Sequence, residues 1–299
     1  MVKNICLINN FNYSAYLPQC LDAVFNQSLP FDKVIVVDDG STDASKEIIA
    51  AYKKSHENLY SILKINEGQL STFNAAVEFI DDHAQIFLLD ADDIYPVDYL
   101  ELCNKKVGGK FPDLTYCSTL CFTNDEADTV ATALARVEKN ELFKKTSALT
   151  RSRRCWIGNP TSCISISSSL FKKVFPYPYP EDFRSRADDA IIFASSIIGA
   201  QKLALPSLQI GYRTHLNNNF FGKKISESQS KLHDAAVNRL FAYYCSKFQL
   251  DEHPSLKEFF SELRLLNRSQ RKNLNLPNTY KLLNRLIRKR YFKWMYSHL

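Results

Sequence analysis

The sequence predicts an open α/β fold, a parallel, doubly wound sheet with helices on both faces. Three observations lead there. Through the first hundred residues, short β-branched apolar runs alternate with amphipathic helical stretches, joined by short turns, as in repeated strand–helix–strand units. Each strand-like run ends in polar or acidic residues. The run Phe87-Leu88-Leu89-Asp90-Ala91-Asp92-Asp93 stays apolar until it stops at three acids. A strand buried on both faces reads that way, and ligands of open α/β sheets sit just beyond the carboxyl ends of such strands.

The elements follow in order. Lys3 to Ile8 is strand-like, and Ser14 to Gln27 carries Tyr16, Leu17, Cys20, Leu21, Val24 and Phe25 at helical spacing. Lys33 to Val37 is a second strand, closed by Asp38-Asp39-Gly40-Ser41. A helix opens at Thr42-Asp43 and runs to about Lys54. Leu59 to Ile65 is the third strand, and Asn66-Glu67-Gly68-Gln69 turns into a helix bearing Leu70, Phe73, Ala76, Val77 and Ile80. After the acids that end the fourth strand, Val97 to Val107 reads as helix and Leu114 to Phe122 as strand. Asn124 to Lys145 is polar and has no clear period. Pro160 to Ser167 reads as strand, followed by a short helix through Lys173. The run Phe175-Pro176-Tyr177-Pro178-Tyr179-Pro180 must be a loop, because proline fits neither a helix interior nor a central strand. Ala187 to Ile198 is helical, and from about Ser226 the pattern is helical to the end, with breaks at Pro254 and Pro277.

Composition excludes several classes. With 45% hydrophobic and 23% charged residues, the 299-residue chain is an ordinary globular protein. Nothing at the start resembles a signal peptide and no apolar run approaches a membrane span, so a cytoplasmic protein is expected. The eight cysteines form no Cys-x-x-Cys pair and read as reduced core thiols. Of the net +6 charge, residues 263–299 hold ten Lys/Arg and no Asp/Glu, which leaves the rest of the chain at −4. The eight glycines include neither G-x-G-x-x-G nor a P-loop, which argues against a dinucleotide oxidoreductase or a P-loop hydrolase. Acids stand at the strand ends instead. They suit ribose hydroxyls, nucleobase N–H groups and a divalent cation holding a diphosphate.

Four motifs in order then carry a resemblance: Ile5 to Asn12; Val34 to Asp43, containing Asp38-Asp39-Gly40-Ser41; Asn66-x-Gly68 with Asn74-Ala75-Ala76; and Leu88 to Asp93. Together they resemble the inverting glycosyltransferases of family 2, nucleotide-sugar enzymes of the GT-A fold. The likeness continues at Asn159 to Cys163, Arg186 to Ala190 and Tyr212 to His215. It implies a Rossmann-like, three-layer α/β/α domain with a mixed central sheet over residues 1–220, plus a helical C-terminal extension over 221–299. Within the domain, about 1–110 would bind the nucleotide sugar and about 111–220 would form the acceptor side.

The resemblance also implies roles. Asn9 and Phe11 would flank the nucleobase and Asp39 would bond its polar edge. Asp90 would approach ribose and metal, and Asp92 would ligate the Mn2+ or Mg2+ that bridges the diphosphate, with Arg213 and His215 nearby. Asp189 would be the general base, with Asp188 beside it where the family often has Glu. The implied donor is a nucleotide-diphosphate sugar, a UDP-sugar first, and the implied acceptor a hydroxyl of a glycan or lipid-linked glycan. Asn9-Asn10 stands where the family often has Pro-Thr, and Glu67 where it often has a neutral residue.

Plainer readings stand beside these. Asp38-Asp39 and Asp188-Asp189 can cap helices, and Asp93 can cap the helix after it. His215 can be structural, and Arg213 can pair with an acid rather than a phosphate. Trp156, Tyr177 and Tyr179 can stack on an acceptor sugar or serve as packing anchors. The basic, aromatic tail Tyr280 to Tyr296 fits a helix on an anionic membrane at the inner face of the cell, or a helix packed on the body; no nucleic-acid module accompanies it. A nucleotidyltransferase-like enzyme and an inactive membrane-associated scaffold are the functional alternatives.

Overall fold

The computed structural model describes residues 2–123, 138–215 and 226–276. Its strands are β1 (Lys3–Asn10), β2 (Lys33–Asp38), β3 (Leu59–Leu63), β4 (Ala84–Asp90), β5 (Leu114–Phe122), β6 (Glu141–Phe143), β7 (Ile164–Ser167) and β8 (Lys202–Arg213). They form one sheet in the order β3-β2-β1-β4-β7-β5-β8-β6. Pairing is parallel from β3 through β4. β7 runs antiparallel to both β4 and β5, β8 runs parallel to β5, and β6 antiparallel to β8. The wholly parallel sheet suggested by local alternation is thus confined to the N-terminal half, and the sheet is mixed, as the GT-A resemblance implied. Alternation reports that a helix separates two strands, not which neighbours a strand takes, so it cannot show the reversal at β7.

The helices are α1 (Leu17–Phe25), α2 (Ser45–Ser55), α3 (Gln69–Ala76), α4 (Tyr99–Val107), α5 (Ser147–Arg153), α6 (Ser168–Val174), α7 (Ala187–Ile198), α8 (Glu227–Lys247), α9 (Leu256–Leu265) and α10 (Arg268–Asn273). Side chains alternate faces along each strand, and this creates two cores. Ile5, Leu7, Ile86 and Leu88 pack with Phe73, Phe171, Ile191 and Leu240. Cys6, Ile8, Phe87 and Leu89 pack on the other face with Leu21, Val24 and Leu100. Ile86 to Leu89 are all fully buried, each contributing roughly 1.5–3 kcal/mol of transfer free energy. That burial fixes where the acids ending β4 must emerge.

Helix α8 belongs to the same core as α7, through Val237, Leu240, Phe241 and Tyr244. Helices α8, α9 and α10 each start with a reciprocal capping box, Ser226/Gln229, Ser255/Glu258 and Asn267/Gln270. Among the described residues no helix is long and apolar enough to cross a membrane. The basic tail from Tyr280 lies outside the described residues.

Candidate active site

The chain lays β2 and β3 to one side of β1 and then returns to place β4 on the other. The order reverses between β1 and β4, the point beyond whose carboxyl ends open α/β sheets place their ligands. Asn9 and Asp90 are register partners across that seam. Asn9 Nδ2 donates to Asp90 Oδ1 at 2.5 Å, so Asn9 serves the carboxylate directly.

Carboxylate oxygens of Asp90, Asp92 and Asp93 lie within 4.8 Å of one another. Burial, and then the Asp92 charge, pushes Asp90 up to about 7. Burial and both neighbouring acids hold Asp93 well above the usual carboxylate range. Such a crowd of buried negative charge, made of hard oxygen donors, fits a divalent cation. Asp93 is the least available of the three, because its oxygens accept from Ser162 Oγ at 2.5 Å and the Arg213 backbone N–H at 2.9 Å. It is not the cap of α4, whose N-cap is Asp98.

His215 Nε2 lies 2.9 Å from Asp92 Oδ2, and its ring is stacked on Tyr16 at 4.9 Å. The histidine is therefore both packed and beside the acidic cluster. Arg213, expected at the donor, is 2% exposed. Its Nε donates to the Asp92 carbonyl at 2.7 Å and its Nη2 to Gln19, and its guanidinium lies over Tyr16 and Phe122. Arg213, on the strand beside β5, thus braces the backbone at Asp92.

On the β2 side, Asp38 accepts from Asn10 Nδ2 and the Ser41 N–H. Asp39 accepts from Lys64 Nζ at 2.8 Å and from the Glu67 and Gly68 N–H groups at 3.0 and 2.7 Å. Neither caps α2, whose N-cap is Ala44. Gly68 has φ +95°, and a Cβ there would stand 2.4 Å from Arg184 Cα, so only glycine permits this approach. Phe11, 43% exposed, stands just past β1.

The acids of α7 occupy its first turn, where the helix dipole favours them. The N-cap itself is Arg186 with φ 64° and no side-chain cap bond, so capping does not account for the pair. Asp189 is 1% exposed. Its Oδ1 accepts from Trp156 Nε1 at 2.7 Å, and its Oδ2 lies 2.7 Å from Arg186 Nη2 and 3.3 Å from His233 Nε2. Asp188 is half-buried. Burial, then the charges of Asp189 and Asp90, pushes it up to about 7.

Sequence reasoning missed the residue that joins these two acidic sites. Gln69 Nε2 donates to Asp90 Oδ1 at 2.9 Å and to Thr161 Oγ1 at 3.2 Å, while its Oε1 accepts the Ala187 N–H at 3.0 Å. One amide thus ties the end of β4 to the start of α7. Gln69 directly follows the Asn66-x-Gly68 turn, and an amide opening a helix beside an acidic strand end was the available signal. Tyr177 is fully buried, whereas Tyr179 and Trp156 are 38% and 36% exposed. Tyr177 is therefore a packing anchor.

Residues 6–175 match the family profile described as Glycosyl transferase family 2. The chain belongs to that family. This family 2 glycosyltransferase is 27% identical over 253 residues to an uncharacterized glycosyltransferase of Nostoc, covering 83% of this chain and 76% of that protein. Over 124 residues it is 28% identical to the glycosyltransferase GlyA of Streptococcus pneumoniae, of which it spans only 18%. Among solved structures it resembles residues 1–349 of S. aureus TarS in complex with UDP-GlcNAc, with TM-score 0.56, 18% identity and coverage of 79% of this chain and 66% of that one. It also resembles the mannosyltransferase PcManGT of Pyrobaculum calidifontis in complex with GDP-Man and Mn2+, with TM-score 0.52, 14% identity and coverage of 92% and 83%. These likenesses show that this glycosyltransferase has the GT-A fold.

Proposed function

We propose that this family 2 glycosyltransferase moves a sugar from a nucleotide-diphosphate donor, a UDP-sugar first, to a hydroxyl of a glycan or lipid-linked glycan, with inversion at the anomeric carbon. The observation that carries the reading is the Gln69 bridge, because it holds the acidic cluster and the α7 carboxylates to one crevice. UDP-GlcNAc in TarS and GDP-Man with Mn2+ in PcManGT support the donor class.

The residues divide the work between donor and acceptor. Phe11 offers an exposed ring for the nucleobase. Asp39 Oδ1 accepts from Lys64, the Glu67 N–H and, at 3.4 Å, Ser71 Oγ, whereas Oδ2 accepts the Gly68 N–H, so Oδ2 is the oxygen with a direction left for a base N–H. Asp90 and Asp92, with His215 alongside, would hold Mn2+ or Mg2+, which neutralises charge on the departing diphosphate. Asp188 lies toward Asp90, while Asp189 is bonded to the half-exposed Trp156. An acceptor sugar stacked on that indole brings its hydroxyl to Asp189. The hydroxyl oxygen then bonds to the sugar carbon from the face opposite the diphosphate, whose bond breaks with its electron pair, and Asp189 takes the proton.

The test is Asp92→Ala, assayed by release of UDP from UDP-GlcNAc and other UDP-sugars across a manganese titration. Turnover is expected to fall about 100-fold or more and to lose its dependence on manganese. Full activity with an unchanged metal response sinks the reading. Free pyrophosphate in place of UDP would favour nucleotidyl transfer.

A further inference from the structure

We propose that His233, on α8 of the C-terminal helical region, positions the Asp189 carboxylate and sets its basicity. The inference rests on reading Asp189 as the general base. His233 lies beyond residues 6–175, the part of the chain that carries the family match.

Geometry carries the argument. His233 Nε2 is 3.3 Å from Asp189 Oδ2, with the imidazole side chain 28% exposed and the carboxylate 1%. The ring stands edge-on to Phe183 at 6.3 Å, so packing limits how it can turn. Helix α8 is anchored on α7 one turn further on by Ala236, Val237 and Leu240. This fixes the reach of His233 toward the carboxylate. The charged and titratable groups around the pair are Arg186, Asp188 and Asp234, and Trp156 binds the other oxygen of Asp189. Burial, and then the Arg186 charge, lowers His233 from the usual histidine value, against the opposing carboxylates of Asp189 and Asp234, which favours the uncharged ring. A neutral ring facing a carboxylate must present its N–H, since two lone pairs would repel. Trp156 donates to Oδ1, whereas Oδ2 is buried with no aligned donor in the structure, although His233 Nε2 stands 3.3 Å from it. A small shift of the imidazole aligns its N–H with Oδ2, and a bond made there favours the ionised carboxylate and lowers its proton affinity.

Trp156 supplies a readout independent of turnover. The chain has two tryptophans, Trp156 and Trp294. In full-length protein carrying Trp294→Phe, the emission of Trp156 is expected to titrate with Asp189, and Asp189→Asn abolishes that titration. Adding His233→Ala is expected to move the midpoint up by about one pH unit, equivalent to a tenfold change in proton affinity. His233→Gln, which keeps a donor without the ring, is expected to restore most of the shift. The acid limb of UDP release from the best UDP-sugar substrate should move the same way, with kcat reduced and the binding of UDP unchanged. A midpoint in His233→Ala equal to that of the parent, with the Asp189→Asn control intact, overturns the inference. If His233→Ala does not fold, a His233→Phe midpoint and acid limb about one unit above the parent, with His233→Gln close to the parent, support it; a His233→Phe midpoint equal to that of the parent overturns it. Turnover retained in Asp189→Asn would overturn instead the reading of Asp189 as base, and the two failures are thereby distinguished.

Discussion

At the scale of single residues, Gln69 shows how little chemistry is needed to join two sites. Its carbonyl and its amino group face different elements, Ala187 of α7 and Asp90 of β4. Gln69→Ala is expected to leave the Ala187 N–H without this acceptor, costing about 1–3 kcal/mol in stability. It should also lower turnover roughly tenfold, measured by chemical denaturation and by release of UDP. Gln69→Glu would add a fourth acid beside Asp90 and should lose more activity than Gln69→Ala. The cluster of Asp90, Asp92 and Asp93 was legible from sequence because three acids ending an apolar strand have few purely structural uses, and their oxygens do come together. The contacts of Arg213 were not, because what an arginine meets depends on strand register. Here Arg213 stands opposite Phe122 on β5.

At the scale of elements, most of the helices and the first five strands could be read from period and turn chemistry. The range Ala187–Ile198 agrees with the helix observed. Strand β8 went unread although it carries Arg213 and leads to His215, because Pro206 and Gly211 interrupt its pattern. The structure accommodates the proline at a register shift, where Cys117 pairs with Leu205 but Ser118 with Gln209. Short β6 and α5 lie in or beside the polar middle segment, where periodicity is too brief to detect. The C-terminal helices hold by local devices as well as packing. In the capping box of α9, Ser255 Oγ accepts the Glu258 N–H at 3.2 Å. Ser255→Ala is expected to cost about 1 kcal/mol, seen as a lower denaturation midpoint with unchanged slope.

For the whole molecule, the acids of the crevice make stability depend on pH. Asp90 and Asp188 are each pushed up to about 7, whereas in the unfolded chain they ionise near 4. Between those values the folded state binds more protons than the unfolded state, so this contribution weakens as pH rises from about 4 to about 7 and is unfavourable above. The metal-free protein is therefore expected to lose thermal stability from pH 5.5 to 8. Asp90→Asn should reduce that loss, and manganese should raise Tm more at pH 8 than at pH 5.5. Equal slopes in the variant and the parent would contradict the expectation. The clasp at Gly68 and Gln69 also bears on inheritance. The backbone of Arg184 lies so close to Gly68 that a Cβ would meet it at 2.4 Å, and the next contact is an amide shared with Ala187. A recombinant that took residues 1–110 from one lineage and residues 111–220 from another would have to match at this joint, so drift at position 69 should be tracked by compensating change around positions 184–187.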